Sequence, residues 1–142
     1  MSIVETEQAI VAEFELFPDW MDKYEHLIDL GKALPAFAPE NKTEQRLIEG
    51  CQSRVWLAAT YDNGLVYFTA DSDAIITKGI ISLLVRVLSG HTPQEILDAP
   101  MDFIHRIGLK ENLSPTRANG LLAMVKQMKL YALVFQQQKS TN

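Results

Sequence analysis

The chain has 142 residues and a net charge of −5, with 47% hydrophobic and 22% charged residues. That length suits one ordinary domain, and the apolar share separates the chain from disordered and fibrous sequences. An acidic balance carries no overall footprint for a nucleic-acid backbone, and the apolar stretch Ile80 to Leu88, broken by Ser82 and Arg86, is too short to span a bilayer.

The start Met1-Ser2-Ile3-Val4-Glu5 lacks the basic and apolar regions of a signal peptide, so a cytoplasmic location is the expectation. Ile3, Ile10, Val11, Phe14 and Phe17 recur at helical spacing and predict an N-terminal helix within residues 1–17, ended by Pro18-Asp19. Asp19 is placed to cap a second helix with the stripe Trp20, Tyr24, Leu27, Ile28 and Gly31. Pro35, Pro39 and Glu40-Asn41-Lys42 then make a loop. Leu47-Ile48 opens a short apolar patch that ends at Gly50. Ser53 to Tyr61 and Leu65 to Thr69 carry strand composition, and Asp62-Asn63-Gly64 between them predicts a hairpin. With the Leu47 patch as a third strand, the middle of the chain reads as a three-stranded antiparallel meander.

After Asp71-Ser72-Asp73 the period turns helical again. Ile76, Ile80, Leu83, Leu84, Val87 and Leu88 cover most of the helix surface, so this is the expected centre of the core, ending at Ser89-Gly90. Thr92-Pro93-Gln94-Glu95 is a capping box with Pro at the first helical position. Ser114-Pro115 starts a long final helix, with Ala118, Leu121, Leu122, Val125, Met128, Ala132 and Phe135 on one face and a polar tail over 136–142. Helices, a meander and more helices make an α+β fold, read as one domain over 1–142.

Chemistry is sparse. The lone Cys51 excludes an intrachain disulfide, and no histidine pairing marks a metal site. A buried cysteine usually packs as a small hydrophobe. Cys51 instead sits in Gly50-Cys51-Gln52-Ser53, between a flexible glycine and two polar residues, at a strand junction where reactive groups are held on loops. A Cys–His hydrolase would need His26, His91 or His105 beside the thiol, and each lies on or next to a predicted helix. Asp71 and Asp73 suit a helix start better than a metal site. Arg117 falls in the first turn of the final helix, where a cation is unfavourable, which points to a duty with an anion or an acidic partner.

Three segments are familiar together. Gly50-Cys51-Gln52-Ser53-Arg54-Val55-Trp56, Asp71-Ser72-Asp73-Ala74 with Lys78-Gly79, and Leu113-Ser114-Pro115-Thr116-Arg117 with Gly120-Leu121 resemble the SufE family of cysteine desulfuration proteins. The resemblance implies a small antiparallel sheet packed with helices, as in the NifU and IscU scaffolds. It implies that Cys51 takes persulfide sulfur from a SufS-like cysteine desulfurase, stimulates that enzyme, and passes the sulfur to a SufBCD-like iron–sulfur scaffold. Gly50, Gln52, Ser53, Trp56, Asp73 and Arg117 are the expected supporting or partner-binding residues. Pyridoxal phosphate would belong to the desulfurase, leaving this chain with no cofactor and no metal. Partners would be proteins alone, with neither nucleic acid nor membrane, and the chain either monomer or homodimer. Two readings compete: an acceptor for a paralogous, CsdE-like system, and a thiol redox or binding module whose Cys51 carries no sulfur.

A persulfide reacts with any thiol or oxidant, so a carrier should shelter it. Val55, Trp56 and Ile76 are the expected shelter, Gly50 the pivot that lets the loop swing out, and Asp73 the cap of the helix behind it.

Overall fold

The computed structural model describes residues 1–140, with side chains through 138. Residues 141 and 142 of the expected polar tail lie outside the described residues. Two helices open the chain, α1 (Ile3–Glu15) and α2 (Trp20–Lys32). Ser2 and Glu5 form a reciprocal capping box on α1, and Asp19 accepts from the Asp22 N–H to cap α2. A long strap follows, with 3₁₀ turns at Pro39–Asn41 and Glu44–Arg46. Strands β1 (Val55–Asp62) and β2 (Leu65–Ser72) pair antiparallel, Val55 opposite Ser72 and Asp62 opposite Leu65. Asn63 and Gly64, both at positive φ, make the tight turn that suits the strands' twist.

The sheet has two strands, not the three expected from sequence. The Leu47 patch contributes one isolated bridge to Trp56. It is hemmed between the Glu44–Arg46 turn and Gly50, whose φ of 92° turns the chain away before a second pair can form.

Helix α3 (Ile75–Leu88) is the centre of the core, and Ile76, Ile80, Leu83, Leu84, Val87 and Leu88 are all buried. It ends at Ser89, with Gly90 at φ 83° just beyond. Short helices α4 (Pro93–Asp98), α5 (Phe103–Arg106) and α6 (Leu109–Asn112) lead to α7 (Pro115–Ser140). Thr92 and Glu95 close the expected capping box on α4. On α7 the buried stripe is Leu121, Met124, Met128 and Ala132, and Leu122 is 58% exposed. Leu122 lies about 100° around the helix from Leu121, which carries it off the seam that Met124 occupies. Gln136 to Ser140 continue the helix, after Phe135 stacks on Tyr61 of β1.

The two faces of β1 do different work. Val55 and Leu57 enter the main core, whereas Trp56 and Ala58 face the strap and pack with Phe37 and Leu47. The strap is pinned there by Lys42, whose ammonium lies 5.3 Å from the Trp56 ring centroid and 2.9 Å from Asp71. Asp71 also meets Lys78 of α3 at 3.2 Å. Burial alone would raise the Asp71 carboxyl, but Lys42, the Ser72 N–H and Lys78 together hold it below the usual range.

Helices α2 and α3 cross backbone to backbone. A side chain at Gly79 would put its first carbon 2.1 Å from the Leu27 carbonyl oxygen, and one at Gly31 would meet the Gly79 nitrogen at 2.7 Å. Beside this crossing Glu13 of α1 accepts two hydrogen bonds from Arg86 of α3 and lies 2.7 Å from His26 of α2, tying three helices together. Glu7, also on α1, is buried and accepts from the Phe103 N–H at the start of α5. Burial pushes its carboxyl above the usual range, against the pull of that N–H.

Candidate functional site

Cys51 rides on a short loop pinched at its base. On one side the buried Ile48 donates its N–H to the Val55 carbonyl at 2.9 Å. On the other the Arg54 backbone is clamped: its N–H donates to Asp73 Oδ1, and its carbonyl accepts from the Asp73 N–H and the Ser72 hydroxyl. Residues 49–53 thus form a closed loop on fixed posts. Gly50, at φ 92°, occupies backbone space that other residues rarely enter, and it turns the thiol inward toward α7.

There the half-buried thiol donates to the Gly120 carbonyl, with Sγ 3.6 Å from the oxygen. A cavity of about 100 Å³ opens beside the sulfur. The loop supplies Gln52 and Ser53 to its wall, α3 supplies Thr77 and Ile80, and α7 supplies Thr116, Arg117, Gly120 and Met124. Burial pushes the Cys51 thiol above its ordinary pKa, because removing water disfavours the thiolate. The Arg117 side chain is exposed at this wall, with Nη1 3.5 Å from the Tyr24 hydroxyl. Ser114 caps α7 by accepting from the Arg117 N–H, so the start signal read from sequence begins the helix whose first turn brings Arg117 to the pocket wall.

The arrangement offers a sulfur atom, a small adjoining space and one guanidinium. It offers no general base. None of the three histidines lines the pocket: His26 meets Glu13, His91 meets Glu95 and His105 meets Glu111. A Cys–His hydrolase has no support in this geometry. Residues 8–132 match the family model of SufE, described as an Fe-S metabolism associated domain.

The chain belongs to the SufE family. It is 40% identical over 131 residues to an uncharacterized SufE-like protein of Rhizobium etli, covering 88% of both chains. It is 39% identical over 127 residues to an uncharacterized SufE-like protein of Synechocystis, covering 89% of this chain and 80% of that one. SufE-like protein 1, chloroplastic/mitochondrial, of Arabidopsis thaliana is 43% identical, and the match spans 34% of its length. The fold is shared with a hypothetical protein from Thermus thermophilus, at a TM-score of 0.73 and 22% identity over 89% of this chain and 93% of that one. Among the described residues no helix is long and apolar enough to cross a membrane.

Of the residues expected at the SufE site, Gly50, Gln52, Ser53 and Arg117 are brought together around Cys51. Trp56 is not. Strand alternation sends its ring to the strap side of β1, opposite the face that Val55 and Leu57 bury. Val55 and Ile76 are core residues and do not line the pocket. The shelter comes instead from Thr77 and Ile80 of α3 and from Gly120 and Met124 of α7. Asp73 is not a helix cap either. Helix α3 begins at Ile75 with Ala74 at the capping position, and the Asp73 carboxylate is committed to the Arg54 N–H. It stakes down the exit of the Cys51 loop. Gly120 stands in the Gly120-Leu121 motif read from sequence and Thr77 carries no such signal, and only the crossing of α3 and α7 beside the loop makes them one wall.

Proposed function

We propose that Cys51 is a sulfur carrier. It accepts the sulfane sulfur from the cysteine persulfide of a pyridoxal-phosphate-dependent cysteine desulfurase and passes it to an iron–sulfur assembly scaffold. The observation that carries this reading is the seat of the chain's single cysteine: a tethered loop that tucks the thiol over a small cavity edged by Arg117, in a chain of the SufE family.

The chemistry needs only a thiolate. Cys51 sulfur attacks the terminal sulfur of the donor persulfide; a new S–S bond forms, the donor's S–S bond breaks, and the donor cysteine leaves as a thiolate that takes up a proton. Oxidation level is conserved, so no electron acceptor is required. The pyridoxal phosphate and its chemistry stay with the desulfurase. In the closed loop the thiol is held protonated by burial and by its bond to Gly120, which keeps it inert toward stray electrophiles. Docking of the desulfurase turns the loop outward about Gly50 and returns the sulfur to water, where its ionisation recovers. Arg117 stands at the same opening and meets the partner's acidic surface or the anionic sulfur.

The test is intact mass after mixing the protein with a cysteine desulfurase and L-cysteine. Wild type gains one sulfur atom, Cys51→Ser folds with an unchanged melting curve and gains none, and Arg117→Ala gains it more slowly at unchanged melting temperature. A Cys51→Ser protein that still stimulates sulfide release as well as wild type, without reductant, overturns the reading.

A further inference from the structure

Gly120 lies in the body of α7, where glycine is disfavoured because it has more backbone freedom to lose and no side chain to pack. Nothing in its backbone angle or its neighbours demands glycine in the state described. A first side-chain carbon there would sit 3.5 Å from Cys51 Sγ, 3.8 Å from its Cα and 4.0 Å from its Cβ, all ordinary contacts. The space is therefore open to a methyl group while Cys51 is a thiol. Once Cys51 is loaded the outcome changes. A sulfane sulfur stands about 2 Å from Sγ along the new S–S bond. A methyl 3.5 Å from Sγ would then lie well inside contact distance of that sulfur on the Gly120 side. The cavity of about 100 Å³ beside Sγ, bounded by Gly120, Thr77, Ile80 and Met124, takes the added atom, since on the same measure a water-sized occupant needs only about 10–15 Å³.

We propose that Gly120 is a positioning residue for the loaded carrier: its missing side chain reserves the space into which the terminal sulfur of the Cys51 persulfide folds when the loop closes. The inference rests on the sulfur-carrier reading and adds to it a residue that separates the loaded from the unloaded protein. Gly120 also supplies the carbonyl that accepts the thiol's hydrogen bond. A perthiolate has no proton to give it, so the loaded sulfur turns from the carbonyl toward the cavity, where the absent side chain matters.

The experiment uses Gly120→Ala and, as a second variant of similar bulk, Gly120→Ser. Each is followed by thermal melting and by iodoacetamide labelling read as intact mass, before and after loading with a cysteine desulfurase and L-cysteine. Labelling joins the sulfur to the reagent's carbon and releases iodide, so loaded and unloaded adducts differ by one sulfur atom. Melting temperature should not fall, and the unloaded thiol should label within about twofold of wild type, as expected where no contact is lost. The loaded variants should label roughly tenfold faster than loaded wild type, the scale of an overpacking penalty that keeps the loop from closing. Equal labelling of loaded variant and loaded wild type overturns the proposal. So does equal acceleration in both states, which would make Gly120 a seat for the thiol alone. Failure of wild type itself to gain sulfur overturns the carrier reading instead, and is seen directly in the mass.

Discussion

Glycine meets a neighbouring segment at two places on the helices, and the two differ in what they leave behind. At the α2–α3 crossing, Gly31 and Gly79 let the backbones touch, and an added carbon at Gly79 would stand 2.1 Å from a carbonyl oxygen. Under the Cys51 loop, Gly120 leaves a gap, and an added carbon would stand at an ordinary 3.5 Å from the sulfur. The first region is filled by main chain and braced by Glu13, Arg86 and His26. The second is held by its posts and by one weak thiol donor, beside a cavity. Rigid framework and adjustable seat are built side by side on α3, which carries Gly79 toward α2 and Thr77 and Ile80 toward the sulfur. Low local stability is the expected property of an element that must open to a partner.

Substitution at the crossing should have the largest effect. Gly79→Ala forces main chain apart and is expected to cost about 3 kcal/mol, at the upper end of overpacking penalties. For a chain of this size that lowers Tm by roughly 10 °C, checked by calorimetry. A variant that melts like wild type would mean the crossing is as adjustable as the loop seat, and the contrast between the two glycines would vanish.

Opening the strap should cost less. Asp71→Asn removes the carboxylate shared by Lys42 and Lys78, both partly exposed, so the loss should be about 1 kcal/mol. The sign follows from its lowered pKa: the stabilisation is present above the usual carboxylate range and is lost as pH falls through the depressed value. The difference in Tm between wild type and Asp71→Asn should therefore shrink on acidification. Because the strap leads into the Cys51 loop, this variant should also label faster at Cys51 than wild type at neutral pH.

The thiol gives a further handle on the seat. Its raised pKa means that labelling of free wild type climbs with pH later than that of an unstructured cysteine peptide. The same shift lowers stability as pH rises past the ordinary thiol pKa, because the fold prefers the protonated form. Coincident pH profiles for protein and peptide would show the loop open at rest.

The smallest effect is expected at Glu7. Its raised pKa means that the fold favours the neutral acid, so stability is present below the unfolded value and is lost as pH rises through the folded one. Glu7→Gln keeps an acceptor for the Phe103 N–H without the charge and should stabilise by a few tenths of a kcal/mol, roughly, at neutral pH. The gain should disappear in acid, as followed by Tm against pH.

Much of the framework was legible residue by residue. The caps at Asp19, Thr92 and Ser114 are local chemistry, in which a side-chain oxygen meets an N–H three residues on, and they stand where the spacing placed them. The Asn63-Gly64 turn and the buried face of α3 are equally local. The third strand failed because composition cannot weigh a turn on either side of a two-residue patch. Trp56 was expected in the shelter of the sulfur and is not there, because its nearness to Cys51 in sequence says nothing of its face, and one step along a strand reverses it. Asp73 was taken as a cap because acid and serine before a helix usually are; here β2 runs through Ser72 and the carboxylate turns to the loop instead.

Sequence by itself placed the long helices, the hairpin, the single cysteine and the family resemblance, since each depends on residues close along the chain or on motifs in order. Tertiary structure alone decided what surrounds that sulfur. Gly120 lies 69 positions from Cys51 in the chain, and the thiol reaches its carbonyl only because α7 passes beneath the loop. A cavity belongs to no segment. It is the space left where α3, α7 and a tethered loop meet, so its walls are set by packing between elements and not by the pattern within any one of them.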